Sequence, residues 1–314
     1  MYKSFYGLKE NPFNVNPDPR FLYMTKQIEE SLTGLMYGIQ TRKGFITLTG
    51  EVGTGKTTLV NRLLDWLHRR NARTAFLFNS RMNSSQLFDF ILAEFDIHCE
   101  SKSKSQQLMK LNSWLLDRYR DGETVVLIID EAQNLTYPVL EEIRLLTNLE
   151  TSTEKLLQIV LSGQPELEEK LKLPQLRQLR QRIMLRCRTT PFLQEQTQEY
   201  ILERLRIAGA AGAPIFTPKA IEAVHMYSMG IPRVINLLCE HSLVNAFADQ
   251  MRPIQPKVVE DVAHEFQLDE IEAIPPTGSS RVDTDVYNSE AFIQNLGEAL
   301  SRFRFSSTTT RERK

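Results

Sequence analysis

Cysteine is scarce in this chain. Cys99, Cys187 and Cys239 are its three cysteines among 314 residues. They are scattered, form no metal-ligand spacing and read as small buried apolar groups in a reducing compartment. Long hydrophobic runs are lacking as well. No stretch approaches the roughly 18 uninterrupted apolar residues of a membrane span. The start, Met1-Tyr2-Lys3-Ser4-Phe5-Tyr6, has no apolar core of a signal peptide. Nor is charge of either sign in surplus: 38 Lys and Arg face 39 Asp and Glu, a net charge of -1. No overall field therefore draws the chain to nucleic acid or to an acidic membrane. These absences predict a cytoplasmic protein, peripheral at the inner membrane only through a partner or a tail.

What is present is concentrated in one stretch, Gly50-Glu51-Val52-Gly53-Thr54-Gly55-Lys56-Thr57-Thr58. It fits G-x-x-x-x-G-K-[ST], the loop that cradles phosphates. Glycines let the backbone turn tightly and aim successive N–H groups at phosphate oxygens. A helix that opens at the loop's end adds its positive dipole end. Lys56 can reach the β- and γ-phosphates, and the Thr57 hydroxyl can hold Mg²⁺. Phe45 to Thr49 alternates like a strand before the loop, and Leu59, Val60, Leu63, Leu64 and Leu67 recur at helical spacing after it.

The rest of the chain falls into three parts. Residues 1–27 are rich in Pro, Asn and aromatics and read as irregular. Their aromatics form either one wall of a base pocket or a hydrophobic clasp. Ile28 to Ile39 has helical spacing. Strands are predicted at 74–78, 124–129 and 156–161, with helices at 84–96, 105–119 and 137–149 between and around them. Strands alternating with helices predict a parallel doubly wound sheet. From Pro191 the pattern turns helical only: about 194–208, 218–229, 232–249 and 256–267, with Thr217-Pro218 as a start signal. The predicted units are 1–190, a nucleotide-binding αβα domain; 191–269, a helical lid; and 270–314, a mostly disordered tail. The tail carries one amphipathic piece with Phe292, Leu296, Leu300 and Phe303 on a face.

Around the loop a constellation forms. Asp130-Glu131 closes the apolar run 125–129. A carboxylate at that strand end can hold Mg²⁺, and its neighbour can polarise a water for attack on the γ-phosphate. Gln164 or Ser162, ending the next buried strand, could hold that water, or the segment is a plain turn. Arg177, Arg180, Arg182, Arg186 and Arg188 lie in a stretch without acids. They could be a solvated face, a phosphate-backbone patch, or the source of an arginine that reaches a neighbouring subunit's γ-phosphate. Arg182, just before the strand expected at Ile183, is the candidate for the last role. Arg233, behind Gly230-Ile231-Pro232, opens a helix from which it can close onto the γ-phosphate.

Taken together these residues resemble an AAA+ ATPase. In that resemblance Gly50–Thr57 stands as Walker A, Val125–Glu131 as Walker B, Gln164 at sensor 1, Arg182 in the arginine-finger box and Arg233 at sensor 2. More narrowly, Phe5-Tyr6-Gly7-Leu8-Lys9-Glu10-Asn11-Pro12-Phe13, Pro17-Asp18-Pro19-Arg20-Phe21-Leu22, Asp130-Glu131-Ala132-Gln133-Asn134-Leu135 and Gly163-Gln164-Pro165-Glu166-Leu167 resemble the ExeA/GspA-like secretion ATPases, a group related to ATPases that assist transposition. The resemblance implies a P-loop αβα sandwich with a helical lid, Mg²⁺-dependent ATP hydrolysis and a nucleotide-driven homo-oligomer, ring or filament. It also implies a partner in an envelope export, pilus or exopolysaccharide system. The alternative is a DNA-binding ATPase that regulates a transposase-like partner.

Overall fold

The computed structural model describes residues 2–14, 19–78 and 81–268. A short helix α1 (Tyr2–Tyr6) opens the chain, and a 3-10 turn follows at Pro19–Phe21. The amino-terminal segment is therefore not wholly irregular, as its composition suggests. A five-residue helix is too short to show periodicity and forms here because Tyr6 is fully buried. Helix α2 (Lys26–Gln40) is capped by the Thr25 hydroxyl, which accepts from the Ile28 N–H. Then come β1 (Phe45–Gly50), α3 (Lys56–His68), β2 (Arg73–Leu77), α4 (Ser84–Glu94), α5 (Lys104–Arg120) and β3 (Val125–Ile129). These are followed by α6 (Tyr137–Leu146), β4 (Leu157–Gly163), α7 (Pro165–Lys172), α8 (Arg177–Arg180) and β5 (Leu185–Thr189).

The five strands form one parallel sheet in the order β2-β3-β4-β1-β5. Strand β1, which feeds the glycine-rich loop, lies inside the sheet, and both its faces are buried. Alternate residues enter two different cores. Ile46, Leu48, Val126, Ile128 and Val160 pack with α2 and α3, while Phe45, Leu127, Ile129, Ile159 and Leu161 pack with α4 to α7. That division follows from the period of two along a strand, and it explains the near-continuous apolar run 125–129. Two ends differ from the sequence reading. Strand β4 extends through Ser162 and Gly163, and β5 starts at Leu185 rather than Ile183.

Beyond residue 190 the named elements are helices: α9 (Gln194–Ile207), α10 (Pro218–Ser228), α11 (Pro232–Ala248) and α12 (Pro256–Glu265). A single bridge, Phe216 to Ile254, is their sole β-type pairing among the described residues. Thr217 caps α10 and Pro218 stands in its first turn, as the start signal predicts. The core on the α2 and α3 side continues without a break into these helices through Ile201, Leu205, Val224, Leu238, Leu243 and Val262. Tyr6 and Phe13 belong to the same core. The amphipathic piece at 292–303 lies outside the described residues.

Candidate functional site

A cleft of about 350 Å³ opens at the carboxyl end of β1. It is lined by the loop Gly53–Thr58, Glu131 and Arg233, and by Phe21, Tyr23, Phe192, Tyr200 and Asn236. The amino-terminal aromatics divide between the core and the cleft. Tyr6 and Phe13 are buried as a clasp, whereas Phe21 and Tyr23 line the cleft.

The loop's geometry follows from its glycines. A Cβ at Gly50 would stand 2.1 Å from the Thr189 hydroxyl. Gly53 has φ +81°, and a Cβ there would meet the Arg233 Cβ at 2.8 Å. Thr54, which the pattern leaves unspecified, is buried and donates to the Glu51 carbonyl at 2.7 Å while its hydroxyl meets that of Thr189 at 2.7 Å. Helix α3 begins at Lys56, so the N–H groups of its first turn have no partner within the helix, and Lys56, Thr57 and Thr58 line the cleft.

Lys56 is only 6% exposed. Its ammonium donates to the Gly50 and Glu51 carbonyls at 2.7 and 2.9 Å. Burial lowers its pKa from the usual lysine value, opposed by the charges of Glu131, Asp130, Glu51 and Glu166. Thr57 is exposed at the helix start. Asp130 is buried at the tip of β3, where Oδ1 accepts from the Ser162 hydroxyl at 2.7 Å and from the Glu131 N–H at 3.0 Å. The pairing of Ile129 with Leu161 brings these strand tips side by side. Ser162 therefore supports Asp130. Gln164, the residue before α7, donates from Nε2 to Glu131 Oε2 at 3.1 Å.

The arginines differ in placement. Arg233 opens α11, and its backbone N–H donates to the Gly53 carbonyl at 3.2 Å, so the helix start touches the loop directly. Arg182 donates to the Thr147 hydroxyl at 2.7 Å and to Asn148 Oδ1 at 2.6 Å within its own chain. Arg188 pairs with Glu168, which also accepts from the Thr49 hydroxyl. The side chains of Arg177, Arg180 and Arg186 make no hydrogen bond or ion pair among the described residues. One arginine escaped the sequence reading: Arg204, on α9, is 6% exposed and lines the cleft. It donates to the Pro12 carbonyl and to the Tyr200 hydroxyl, both at 2.5 Å. The only sequence signal was its place four residues after Tyr200, on the same helix face.

The donor set suits a nucleoside polyphosphate. Lys56, Arg204 and Arg233 put three cations on the cleft against the single carboxylate of Glu131, and aromatic rings line it too. Residues 39–171 match the family model described as an AAA domain. General secretion pathway protein A of Aeromonas hydrophila is 45% identical over 249 residues, 79% of this chain and 45% of that protein. The chain carries an AAA domain. It spans less than half the length of that secretion relative. Among solved structures, Cdc6p of Pyrobaculum aerophilum aligns with TM-score 0.62 and 20% identity, over 82% of this chain and 71% of that one. The ORC2 protein of Aeropyrum pernix, in ADPNP–ADP complexes, aligns with TM-score 0.58 and 15% identity, over 84% and 75%. At these identities the likeness concerns the fold. The αβα P-loop architecture expected from the motifs, and the kinship with the ExeA/GspA-like group, are both borne out.

Proposed function

We propose that this AAA+ chain hydrolyses ATP to ADP and phosphate with Mg²⁺. The observation that carries the reading is one cleft lined by Lys56, the first turn of α3 and Glu131, with Asp130 beside them at the strand tip. Lys56 and the loop amides Gly50–Thr58 would hold the phosphates; Phe21, Tyr23 and Tyr200 would flank the base. The Thr57 hydroxyl and the Asp130 carboxylate are the groups that would hold Mg²⁺, whose charge would offset that on the phosphate oxygens. Glu131 would accept a proton from the attacking water as its oxygen bonds to the γ-phosphorus and the bond to the bridging oxygen breaks. Gln164 would orient Glu131, and Arg233 would report nucleotide state from α11. Residues 1–190 and 191–269 would act as body and lid.

A trans arginine from the 177–188 segment would complete a neighbour's site. Arg182 remains the first candidate because both of its hydrogen-bond partners are neutral and could release it. Similarity to General secretion pathway protein A supports a task in assembling or regulating an envelope export system, with a protein partner there. No described helix is long and apolar enough to cross a membrane. The DNA-dependent alternative predicts retention on DNA only with ATP. Against it, Arg188 is paired with Glu168 within the chain.

The test is steady-state phosphate release with ATP. Turnover should need Mg²⁺ and stop with excess EDTA, and Lys56→Ala should lose binding of a fluorescent ATP analogue. Mg²⁺-independent turnover, or unimpaired binding and turnover by Lys56→Ala, would contradict the assignment.

A further inference from the structure

Gln133 is part of the 3-10 turn Ala132–Asn134 that follows β3, and hydrogen-bond chemistry fixes the orientation of its amide. The backbone N–H of Gln164 can only donate, and it donates to Gln133 Oε1 at 3.1 Å. The other end of the amide is then Nε2, a donor, and it stands 2.5 Å from Glu131 Oε2. Gln164 Nε2 donates to that same oxygen at 3.1 Å. One carboxylate oxygen is thus held by two amides, one from its own turn and one from the start of α7. Space for the Gln133 amide comes from a glycine: a Cβ at Gly163 would lie 2.9 Å from Gln133 Oε1. The turn is itself tied down, because Lys170 on α7 donates to the carbonyls of Gln133 and Leu135.

We infer that Gln133 is a positioning residue for hydrolysis: it holds the Glu131 carboxylate against the cleft and couples its place to the β4–α7 junction through Gln164. The inference rests on Glu131 as the proton acceptor. A base displaced by a fraction of an ångström loses much of its effect, since the proton must pass along a short, aligned hydrogen bond. Without the Gln133 donor, Glu131 Oε2 loses its shorter amide bond and retains the longer one from Gln164. Substrate binding does not involve Gln133, which is absent from the cleft lining. Loss of its amide therefore changes turnover and leaves affinity alone.

Two variants separate this role from a purely structural one. Gln133→Leu removes the donor to Glu131 without adding charge; Gln133→Glu keeps an acceptor for the Gln164 N–H but sets a second carboxylate against Glu131, whose repulsion adds to the lost bond. ATP turnover, ATP affinity and thermal unfolding are measured for each, alone and combined with Glu131→Gln. Each is expected to keep KM within about twofold and to lower kcat by about tenfold or more, and the loss in the uncharged Gln133→Leu shows that the missing donor suffices. In the Glu131→Gln background the same change is expected to do almost nothing, because the two residues act as a unit. Wild-type kcat in Gln133→Leu, or a full additional loss in the Glu131→Gln background, overturns the inference. A wild-type chain that binds ATP without hydrolysing it overturns the hydrolytic reading itself, a distinct result.

Discussion

Glu131 has φ 52° and ψ 37°. For a residue with a Cβ this left-handed conformation costs on the order of 1–3 kcal/mol. Its N–H is taken by Asp130 Oδ1 and its carboxylate by two glutamine amides, so the surroundings hold it there. That local strain falls at the residue assigned to polarise water. Lys56, Thr57, Asp130 and Glu131 were legible in the sequence because a loop of fixed spacing and a strand end place them. Ser162 and Gln133 were not assigned their contacts. The partner of the Ser162 hydroxyl is 32 residues away, and the amide that donates to Gln133 is 31 residues away. Only the register of β3 against β4 brings them together. Arg204 was further out of reach, with its Pro12 partner 192 residues away.

Among the elements, α9 and the amino-terminal segment depend on each other. The position of α9 was plain from helical spacing, but its use of Arg204 was not, because a buried guanidinium looks in sequence like any helix-surface arginine. Its carbon lies 4.6 Å from the Phe21 ring centroid and 5.3 Å from that of Tyr200, within reach of cation–π attraction. The Lys9 N–H donates to the Ala208 carbonyl at 2.8 Å, and the Tyr2 hydroxyl donates to Glu240 at 2.7 Å. Phe13 is fully buried and meets Phe216 edge to face at 6.3 Å. Phe13→Ala should therefore cost about 3 kcal/mol or more of stability. The exposed Leu193→Ala should cost less than about 0.5 kcal/mol. Urea unfolding measures both, and equal small losses would mean that the amino-terminal segment is not part of the core.

In the whole molecule, the parallel sheet separates two cores, one of which runs on into the helices beyond residue 190. The cleft draws residues from both sides of that point, Lys56 and Glu131 from one and Tyr200, Asn236 and Arg233 from the other. Nucleotide would thus bear on both at once. If a trans arginine completes the site, specific activity rises with protein concentration. Arg182→Ala then binds ATP yet turns over slowly at every concentration. Mixing it with Lys56→Ala restores part of the activity, because each supplies what the other lacks, and an arginine finger is worth on the order of 10³ or more in rate. Light scattering alongside the assay checks this; concentration-independent activity from a strict monomer contradicts it.

The most direct measurement compares phosphate release and ATP affinity in wild type and Glu131→Gln. The substitution keeps the side chain's size while removing the group that accepts the proton. The account predicts unchanged ATP affinity and turnover reduced by roughly 10² or more. Wild-type turnover by Glu131→Gln would contradict it.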